Sequence, residues 1–457
     1  MYIYFAKIIF LKRFHVIILW FIFCFVSLAN SQTNFRFLNS SQEKERIPFK
    51  LINNIIVIPI EINGKELSFI LDTGVNKTIL FNLSQNDTLG LKNVEKVQLQ
   101  GLGSGESVDA LVSRNNRFQI KNIISNNESI YVVLKDFFNL SSKMGTTIHG
   151  IIGFNLLKNL IVKINYRTKK IDFYNPKMFA YKKCRKCEVF PIQFYRRKPY
   201  VNAQVQLDTI GTKLLDVKVL IDSGGSDAIW LFENYEEEII TPKRFFNDLL
   251  GEGLSGPIYG NRSRIPELRL GKFVIKKPTV SFLDSASTFH ARKFKERNGS
   301  IGGDVLKRFK VWIDYPNKKI TLKKNGSLTK GFNYNMSGLD IVYNGKQLVK
   351  EEVVESNFKD SYGREIDNNT SINFITRFFF KFKPSFKINK VLKNSPAEKA
   401  GLLIGDLILK INGKKAYELT MNDIVYKLQE RDKKRISLVV ERNGRRMKFD
   451  FRLEKKI

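Results

Sequence analysis

Apolar and polar residues alternate along two successive stretches of the chain at the two-residue period of half-buried β-strands. In the first stretch, the apolar residues 67–71 lead into Asp72-Thr73-Gly74, and in the second, residues 217–221 lead into Asp222-Ser223-Gly224. Short strands with Gly and Asn turns surround both motifs. The pattern predicts two β-rich lobes, each with an aspartate at the end of a strand.

The two stretches also match downstream of their aspartates. A glycine that closes an apolar segment follows Asp72 after 153 − 72 = 81 residues, at Gly153, and Asp222 after 302 − 222 = 80 residues, at Gly302. A single Asp-Thr-Gly is most simply an ordinary turn, because Asp and Gly are common turn residues. Two copies with the same partner at the same distance indicate an internal repeat.

The repeat resembles the bacterial aspartic proteases: each half is similar to a retropepsin subunit, and the whole to a fused, pepsin-type pair over about residues 50–325. The resemblance implies an aspartic endopeptidase without a cofactor, in which Asp72 and Asp222 are catalytic. It also implies that two hydroxyl side chains cross-link the motif loops, and that Gly153 and Gly302 lie beneath them. The implied loop-supporting residues are Thr73, Gly74, Ser223 and Gly224.

A pair of adjacent aspartates suits amide hydrolysis, because two neighbouring carboxyl groups cannot both ionise and therefore share one proton. The ionised group takes a proton from water, and the protonated group donates to the carbonyl oxygen. Such enzymes usually have alanine or serine after the motif, where this chain has Val75 and Gly225. Because the valine side chain cannot donate a hydrogen bond to the carboxylate, we expect the two aspartates to differ in acidity.

Each lobe has a glycine-rich hairpin that the resemblance places over the substrate. The first lies at 100–105 and includes Gly103 and Gly105, and the second lies at 251–260, with Tyr259 as a candidate substrate-facing aromatic. A surface hairpin without substrate contact explains either segment equally well. The first hairpin is not a phosphate loop, because no Lys-Ser/Thr opens a helix after it.

The C-terminal part has a different pattern. Residues 390–413 combine a strand, a short helix, a glycine turn and a second strand, and an amphipathic helix follows at 420–430. This order resembles a bacterial PDZ domain, which binds peptides by adding them as a strand and captures a carboxylate with backbone amides. The implied partner is a C-terminal peptide or an internal strand, and the implied role of the domain is recruitment or regulation of the substrate. The candidate carboxylate loop is Gly338-Leu339-Asp340-Ile341.

An insertion at about 344–385 separates this loop from the rest of the domain, so the PDZ fold is more strongly indicated than PDZ peptide binding. Inside the insertion, residues 378–383 read Phe-Phe-Phe-Lys-Phe-Lys and alternate from Phe380 on. A half-buried strand explains this alternation more simply than membrane contact.

The N-terminal 31 residues form a separate segment. Lys7, Lys12 and Arg13 precede an apolar run at 16–29, and small and polar residues follow it. This order predicts a secretory signal peptide and hence export to the periplasm or the medium. At 14 residues the run is short for a membrane span, and an uncleaved membrane anchor is the alternative.

The 457 residues are 43% apolar, enough for about three domains, and carry a net charge of +33. Such a charge can attract acidic polymers, anionic membranes or acidic substrates. Because Lys and Arg are scattered and no nucleic-acid-binding motif is present, we expect a polypeptide substrate and no nucleic acid. Basic segments such as Arg196-Arg197-Lys198 are interpreted as solvated loops.

Three cysteines occur, and Cys184 and Cys187 lie beyond the signal segment. A structural zinc site needs four ligands, and His149 and His290 lie in unrelated contexts, so we expect no metal. In an oxidising compartment a Cys184–Cys187 disulfide is the more probable state. The few histidines also leave no obvious base or zinc ligands for a serine or metalloprotease.

These patterns predict a mainly β, two-lobed aspartic-protease-like fold with an internal repeat, followed by an α+β PDZ-like domain. The alternative function is a non-catalytic, secreted peptide-binding protein on the same scaffold, against which the two intact motifs argue. The expected segments are a signal peptide at 1–31, a flexible segment at 32–47, lobe one at 48–180, a linker at 181–187, lobe two at 188–328 and the PDZ-like domain at 329–457.

Overall fold

The computed structural model describes residues 34–83, 89–102, 105–133, 139–234, 238–357 and 373–457. It confirms the predicted fold class: two β-rich lobes are followed by a smaller domain of strands and short helices. The predicted signal peptide and Gly103 lie outside the described residues. Within the described ranges, no helix is both long enough and apolar enough to span a bilayer.

The first lobe is built on a nine-stranded sheet. The buried side chains of its long strands are mainly Ile, Leu, Val and Phe, whose removal from water drives the sheet to fold over a core. Its elements are β1 Arg36–Phe37, β2 Lys44–Pro48, β3 Lys50–Ile52, β4 Ile55–Ile62, β5 Lys65–Leu71, β6 Thr78–Leu80, β7 Lys92–Leu99, β8 Val108–Ile120, β9 Ile123–Val133, α1 Leu140–Met144, β10 Gly150–Ile152, α2 Phe154–Leu157, β11 Ile161–Asn165 and β12 Lys170–Tyr174.

The second lobe repeats this plan on a ten-stranded sheet. In both lobes the strand that ends at an aspartate pairs in parallel with the strand that ends before the downstream glycine. Its elements are β13 Cys187–Pro191, β14 Gln193–Tyr195, β15 Lys198–Gln206, β16 Leu214–Ile221, β17 Ile229–Phe232, β18 Phe246–Gly253, β19 Gly256–Arg264, β20 Glu267–Leu270, β21 Phe273–Lys276, β22 Thr279–Leu283, α3 Ser285–Thr288, β23 Arg297–Ile301, α4 Gly303–Leu306, β24 Phe309–Asp314 and β25 Lys319–Lys324.

A six-stranded sheet joins the two lobes in the order β13-β25-β24-β11-β12-β2. Its central pair is antiparallel, with Val162 of β11 opposite Ile313 of β24. One apolar core continues through both lobes. A disulfide joins Cys184 to Cys187, immediately before and at the start of β13, with the two Cα atoms 5.4 Å apart.

The prediction of a flexible segment at 32–47 is wrong for its described part. Strand β2 pairs with β12 at the edge of the joining sheet. Phe35 and Ile47 are each only 1% exposed, because these isolated apolar residues pack into the common core. The polar composition of the segment reflects its solvent-facing side chains and not a lack of structure.

The third domain has its own core and a sheet in the order β26-β27-β28-β30-β31, with β29 paired to β28. Ser395 caps the first helix, and Thr420 forms a capping box with Asp423 at the second, so both helices begin where the sequence predicts. Its elements are β26 Leu339–Asn357, β27 Asn373–Val391, α5 Pro396–Lys399, β28 Leu407–Ile411, β29 Lys414–Lys415, α6 Met421–Leu428, β30 Arg435–Arg442 and β31 Arg445–Arg452.

The third domain packs against both lobes. On the first lobe, Asn422 at the start of α6 donates to the carbonyl oxygen of Leu51 at 2.8 Å and accepts from the amide of Asn53 at 2.9 Å. On the second lobe, the ring of Tyr334 lies 5.5 Å from that of Phe246 in β18. The domain is therefore held by polar and aromatic contacts on two sides.

Candidate active site

Asp72 and Asp222 each lie immediately beyond a buried strand, held by the strand that pairs with it. The amide of Asp72 donates to the carbonyl oxygen of Ile152 at 2.8 Å, and the amide of Asp222 donates to that of Ile301 at 2.9 Å. Gly153 is required below the first loop, because a Cβ there would overlap the carbonyl oxygen of Asp72. Both aspartates are therefore fixed from below by the backbone.

The hydroxyl residues of the two motifs join the loops reciprocally. Thr73 Oγ1 donates to the carbonyl oxygen of Ile221 at 2.6 Å and accepts from the amide of Ser223 at 3.0 Å. Ser223 Oγ donates to the carbonyl oxygen of Leu71 at 2.7 Å and accepts from the amide of Thr73 at 3.1 Å. Both side chains are 1% exposed, so the four bonds are shielded from water.

The two carboxyl groups are adjacent and hydrogen-bond each other. A Cβ on Gly74 would lie 3.1 Å from Oδ1 of Asp72 and 3.2 Å from Oδ1 of Asp222. A Cβ on Gly224 would overlap the Asp72 carboxyl group, with Oδ1 at 2.8 Å. The glycines of the motifs therefore leave the space in which the carboxyl groups meet.

The carboxyl groups differ in their hydrogen bonds. Asp222 Oδ1 accepts from the amides of Gly224 and Gly225, both at 3.1 Å, whereas Asp72 Oδ1 accepts from the Gly74 amide at 2.6 Å. Burial and then the negative charge of Asp222 raise the pKa of Asp72 to about 8. The arrangement therefore favours a proton on Asp72.

Lys198 is a charged neighbour of this pair that the sequence interpretation missed. The β15–β16 ladder begins with Tyr200 opposite Leu220. When this register is continued by two residues beyond the ladder, Lys198 lies opposite Asp222. The corresponding register of β4 and β5 brings Ile55 opposite Asp72. The two halves of the repeat thus place an apolar side chain beside one aspartate and a cation beside the other.

The interpretation of Arg196-Arg197-Lys198 as a solvated loop holds for the two arginines, which are exposed, but not for Lys198, which is half-buried. Burial, followed by the charge of Arg297, lowers the pKa of Lys198, while the charges of Asp72 and Asp222 oppose this shift. The lysine is therefore electrostatically coupled to both carboxyl groups.

The two predicted hairpins, β7–β8 and β18–β19, meet at their tips. The amide of Gly105 donates to the carbonyl oxygen of Ser255 at 2.6 Å, and the Ser255 amide donates to that of Leu102 at 2.9 Å. Leu102 packs on an apolar cluster of the second lobe, and Leu254 packs on one of the first. Each hairpin therefore reaches across to the other lobe.

Tyr259 is 48% exposed, and the ammonium group of Lys390 in the third domain lies 5.6 Å from its ring centroid. The cavity beside Gly224 is lined instead by Trp230 and by Leu249 of the second hairpin. The structure thus places Tyr259 against the third domain, whereas the indole of Trp230 faces the aspartate loop.

A half-buried ion-pair network links the second hairpin to the loop of Asp222. Arg262 of β19 contacts Asp227 Oδ1 at 3.1 Å and Asp248 Oδ2 at 3.0 Å, and Trp230 Nε1 donates to Asp227 Oδ2 at 2.8 Å. No local sequence pattern reveals this network, because its members come from three separated elements. It ties the position of the hairpin to that of the Asp222 loop.

The candidate carboxylate loop of the third domain is largely buried. Leu339 and Ile341 belong to the domain core, and the Leu339 amide already donates to Ser337 Oγ at 3.0 Å. Helix α1 of the first lobe packs against β26, and Gly145 after it contacts Met421 of α6. Gly338, Leu339 and Asp340 also line the cavity that reaches Gly224.

Within the described residues, no group of His, Cys, Asp or Glu side chains is arranged to hold a metal ion. Two adjacent carboxyl groups of unequal proton affinity can act as an acid and a base on opposite sides of one bound water.

Two segments of the chain match known protein families: residues 58–156 match the aspartyl protease family and residues 387–442 match the PDZ domain family. Among solved structures, an aspartic proteinase from Irpex lacteus is similar, with 13% sequence identity, coverage of 63% of this chain and 99% of that chain, and a TM-score of 0.41. No curated protein sequence matches the chain. One segment of the chain is therefore similar to the aspartyl protease family, and a later segment is similar to the PDZ domain family.

Proposed function

We propose that the protein is an aspartic endopeptidase that hydrolyses peptide bonds with Asp72 and Asp222. The observation that carries the proposal is the meeting of the two carboxyl groups across reciprocally bonded Thr73 and Ser223. A peptide-binding scaffold without activity needs neither a hydrogen-bonded carboxyl pair nor glycines that leave room for it.

In the proposed mechanism Asp222 is the base and Asp72 the acid. Asp222, which accepts two backbone hydrogen bonds, removes a proton from a water held between the carboxyl groups. The water oxygen attacks the peptide carbonyl carbon while Asp72 donates its proton to the carbonyl oxygen. The proton taken up by Asp222 then passes to the leaving nitrogen, and as the C–N bond breaks a hydroxyl group of the tetrahedral carbon returns a proton to Asp72.

Cleavage of an unstructured polypeptide tests this proposal. The full chain is expected to generate new peptide termini, detected by mass spectrometry, at some pH between about 3 and 9. An Asp222→Asn variant purified in parallel controls for contaminating proteases, and Asp208→Asn controls for a change of charge at an exposed aspartate. Equal cleavage by the parent protein and Asp222→Asn would contradict the proposal.

Lys198 is expected to set the pH range of the activity. Its positive charge lowers the pKa of Asp72, so Lys198→Met should raise that pKa and retain the shared proton to higher pH. We expect the alkaline limb of kcat/KM to move up by about one pH unit. Lys198→Arg, which keeps the charge, should retain the parent profile.

If Lys198 has a purely structural role, its replacement will lower kcat/KM at every pH without moving the alkaline limb of the pH profile. A profile of Lys198→Met that overlies the parent profile after scaling would therefore show that the lysine does not tune the carboxyl pair. Thermal unfolding of each variant separates this outcome from a loss of folded protein.

We infer that the PDZ domain braces the cleft more than it recruits substrate. A PDZ peptide adds as a strand to a sheet edge, and the edge strand β26 is covered by α1. Peptide addition there would require α1 and β26 to separate. The contacts of Asn422 with Leu51 and Asn53 support the two lobes in their present arrangement.

Deletion of the PDZ domain tests this inference. The shortened chain should end after Asn333, because buried Arg308 donates to the carbonyl oxygens of Ser327 and Gly331 and packs on Phe332. We expect a lower Tm, by at least about 5 °C, and a similar fractional loss of cleavage for a short peptide and an unfolded protein. A loss confined to the protein substrate would instead indicate recruitment.

We also propose that the protein is exported, on the strength of the N-terminal basic and apolar segment. The Cys184–Cys187 disulfide supports this, because disulfides persist in oxidising compartments. N-terminal sequencing of the protein recovered from its producing cells decides whether the segment is removed or retained as an anchor.

A further inference from the structure

The insertion of the PDZ domain forms a two-stranded ribbon that extends beyond the domain core. Strands β26 and β27 pair with each other throughout, but β27 pairs with β28 only at Phe386 and Lys387. From Lys346 to Lys383 the ribbon therefore has two edges that no described strand pairs with.

One face of this ribbon carries four large apolar side chains that no described residue covers, together with Lys350 and Glu352. Leu348 lies opposite Phe382, and Phe380 and Phe378 follow at two-residue intervals, so all four side chains share one face. The exposed fraction is 58% for Leu348, 70% for Phe382, 64% for Phe380 and 51% for Phe378. Soluble monomers rarely leave a contiguous set of large apolar side chains in water without a functional reason.

The opposite face carries an ionic network. Glu351 pairs with Lys381 at 3.0 Å and with Lys383 at 2.9 Å. The alternation of Phe and Lys therefore predicted the two faces correctly, but the prediction of a half-buried strand is wrong, because no described element covers the apolar face. The ribbon is amphipathic with its apolar side toward solvent.

Charge decides which occupant suits this face. With a net charge of +33, a second copy of the chain is repelled, whereas an anionic surface attracts it. The ribbon itself carries five Lys or Arg and three Glu over residues 346–357 and 376–383. Its partner therefore has to combine negative charge with an apolar interior.

The side chains of the apolar face match the interfacial region of a lipid bilayer. The ammonium group of Lys350 lies 3.6 Å from the ring centroid of Phe378, so a cation sits directly on the aromatic surface. Lysine extends its charged end toward lipid headgroups while aromatic side chains enter the acyl boundary. Because phosphate-bearing headgroups are negative, anionic lipids satisfy both requirements.

We propose that the ribbon binds anionic membranes by inserting Phe380 and Phe382 into the headgroup region. The binding acts in addition to any anchoring by the N-terminal segment, and it places the cleft at a membrane surface. The proposal does not depend on the peptidase activity, since the ribbon lies outside the two lobes.

Tryptophan fluorescence of the full chain tests the proposal at the ribbon itself. A Phe380→Trp variant should shift its emission to the blue on vesicles of phosphatidylglycerol but not on vesicles of neutral phosphatidylcholine. Phe379→Trp is the matched control, because its side chain lies on the opposite face. No shift of Phe380→Trp on either vesicle, or equal shifts of both variants, would overturn the proposal.

Vesicle binding provides a second measurement. The Phe380→Ser, Phe382→Ser double variant should bind phosphatidylglycerol vesicles at least about tenfold more weakly, since neither serine can bury apolar surface in the acyl boundary. Cleavage of a soluble peptide should stay unchanged. If instead the apolar face is covered by a second copy, Phe380→Trp emission will depend on protein concentration without lipid, which also overturns the proposal.

Discussion

The double variant Asp72→Asn, Asp222→Asn is expected to be scarcely less active than either single variant, each of which loses roughly 100- to 10,000-fold in kcat. Neither carboxyl group can replace the other, because one removes a proton from water and the other donates one to the carbonyl oxygen. Groups that act as one unit give strongly non-additive losses. Single-turnover cleavage of a short peptide by the three variants measures this directly.

Circular dichroism and thermal unfolding should accompany these rates. Asparagine keeps the size of the side chain and can still hydrogen-bond to the backbone amides, so all three variants should remain folded. If the fold-losses in kcat of the two single variants multiplied in the double variant, the shared-proton mechanism would be excluded. Substantial turnover by a folded single variant would exclude it as well.

Adding one methyl group at Gly224 is expected to inactivate the protein by at least about 100-fold, the cost of displacing a reacting group by about 1 Å. The new Cβ would overlap the Asp72 carboxyl group, which has no room to withdraw because the Gly74 amide holds it from the other side. The measurement is kcat/KM for a short peptide with folded Gly224→Ala.

Gly225→Ala is the matched control for this change. A Cβ at Gly225 would lie 3.6 Å from the Asp222 carboxyl group, an ordinary contact distance. We expect this neighbouring substitution to leave the rate within about threefold of the parent. If both alanines were tolerated, the carboxyl groups would not be as closely confined as the structure places them.

The lobes and the positions of Asp72 and Asp222 could be predicted because their signals are local. Strand alternation, a turn with glycine and the repeat distance to Gly153 and Gly302 all lie within the sequence of each half. The same holds for the PDZ domain, whose helices begin at capping residues. The described part of the segment at 32–47 could not be predicted, because its strand is stabilised by β12, more than 100 residues away.

Lys198 escaped prediction because its distance from Asp222 depends on the register of β15 and β16. The sequence repeat gave no direct signal, because its spacing of 222 − 72 = 150 residues aligns Lys198 with Pro48, and Ile55 corresponds to Lys198 only through the strand registers. For Tyr259, the sequence predicted the hairpin but not the direction of the side chain. The glycine-rich hairpin was visible in the sequence, but the side of the hairpin from which a side chain projects depends on tertiary packing.

The crossed tips of the two hairpins have a consequence for the kinetics of substrate entry. Leu102 and Leu254 each pack on the opposite lobe, and Ser255 of the second hairpin bonds to both Leu102 and Gly105 of the first, so neither hairpin can lift while the other stays closed. The cleft therefore opens in one concerted event. As substrate concentration rises, its capture rate should reach a plateau set by the opening frequency, whatever the sequence of the substrate.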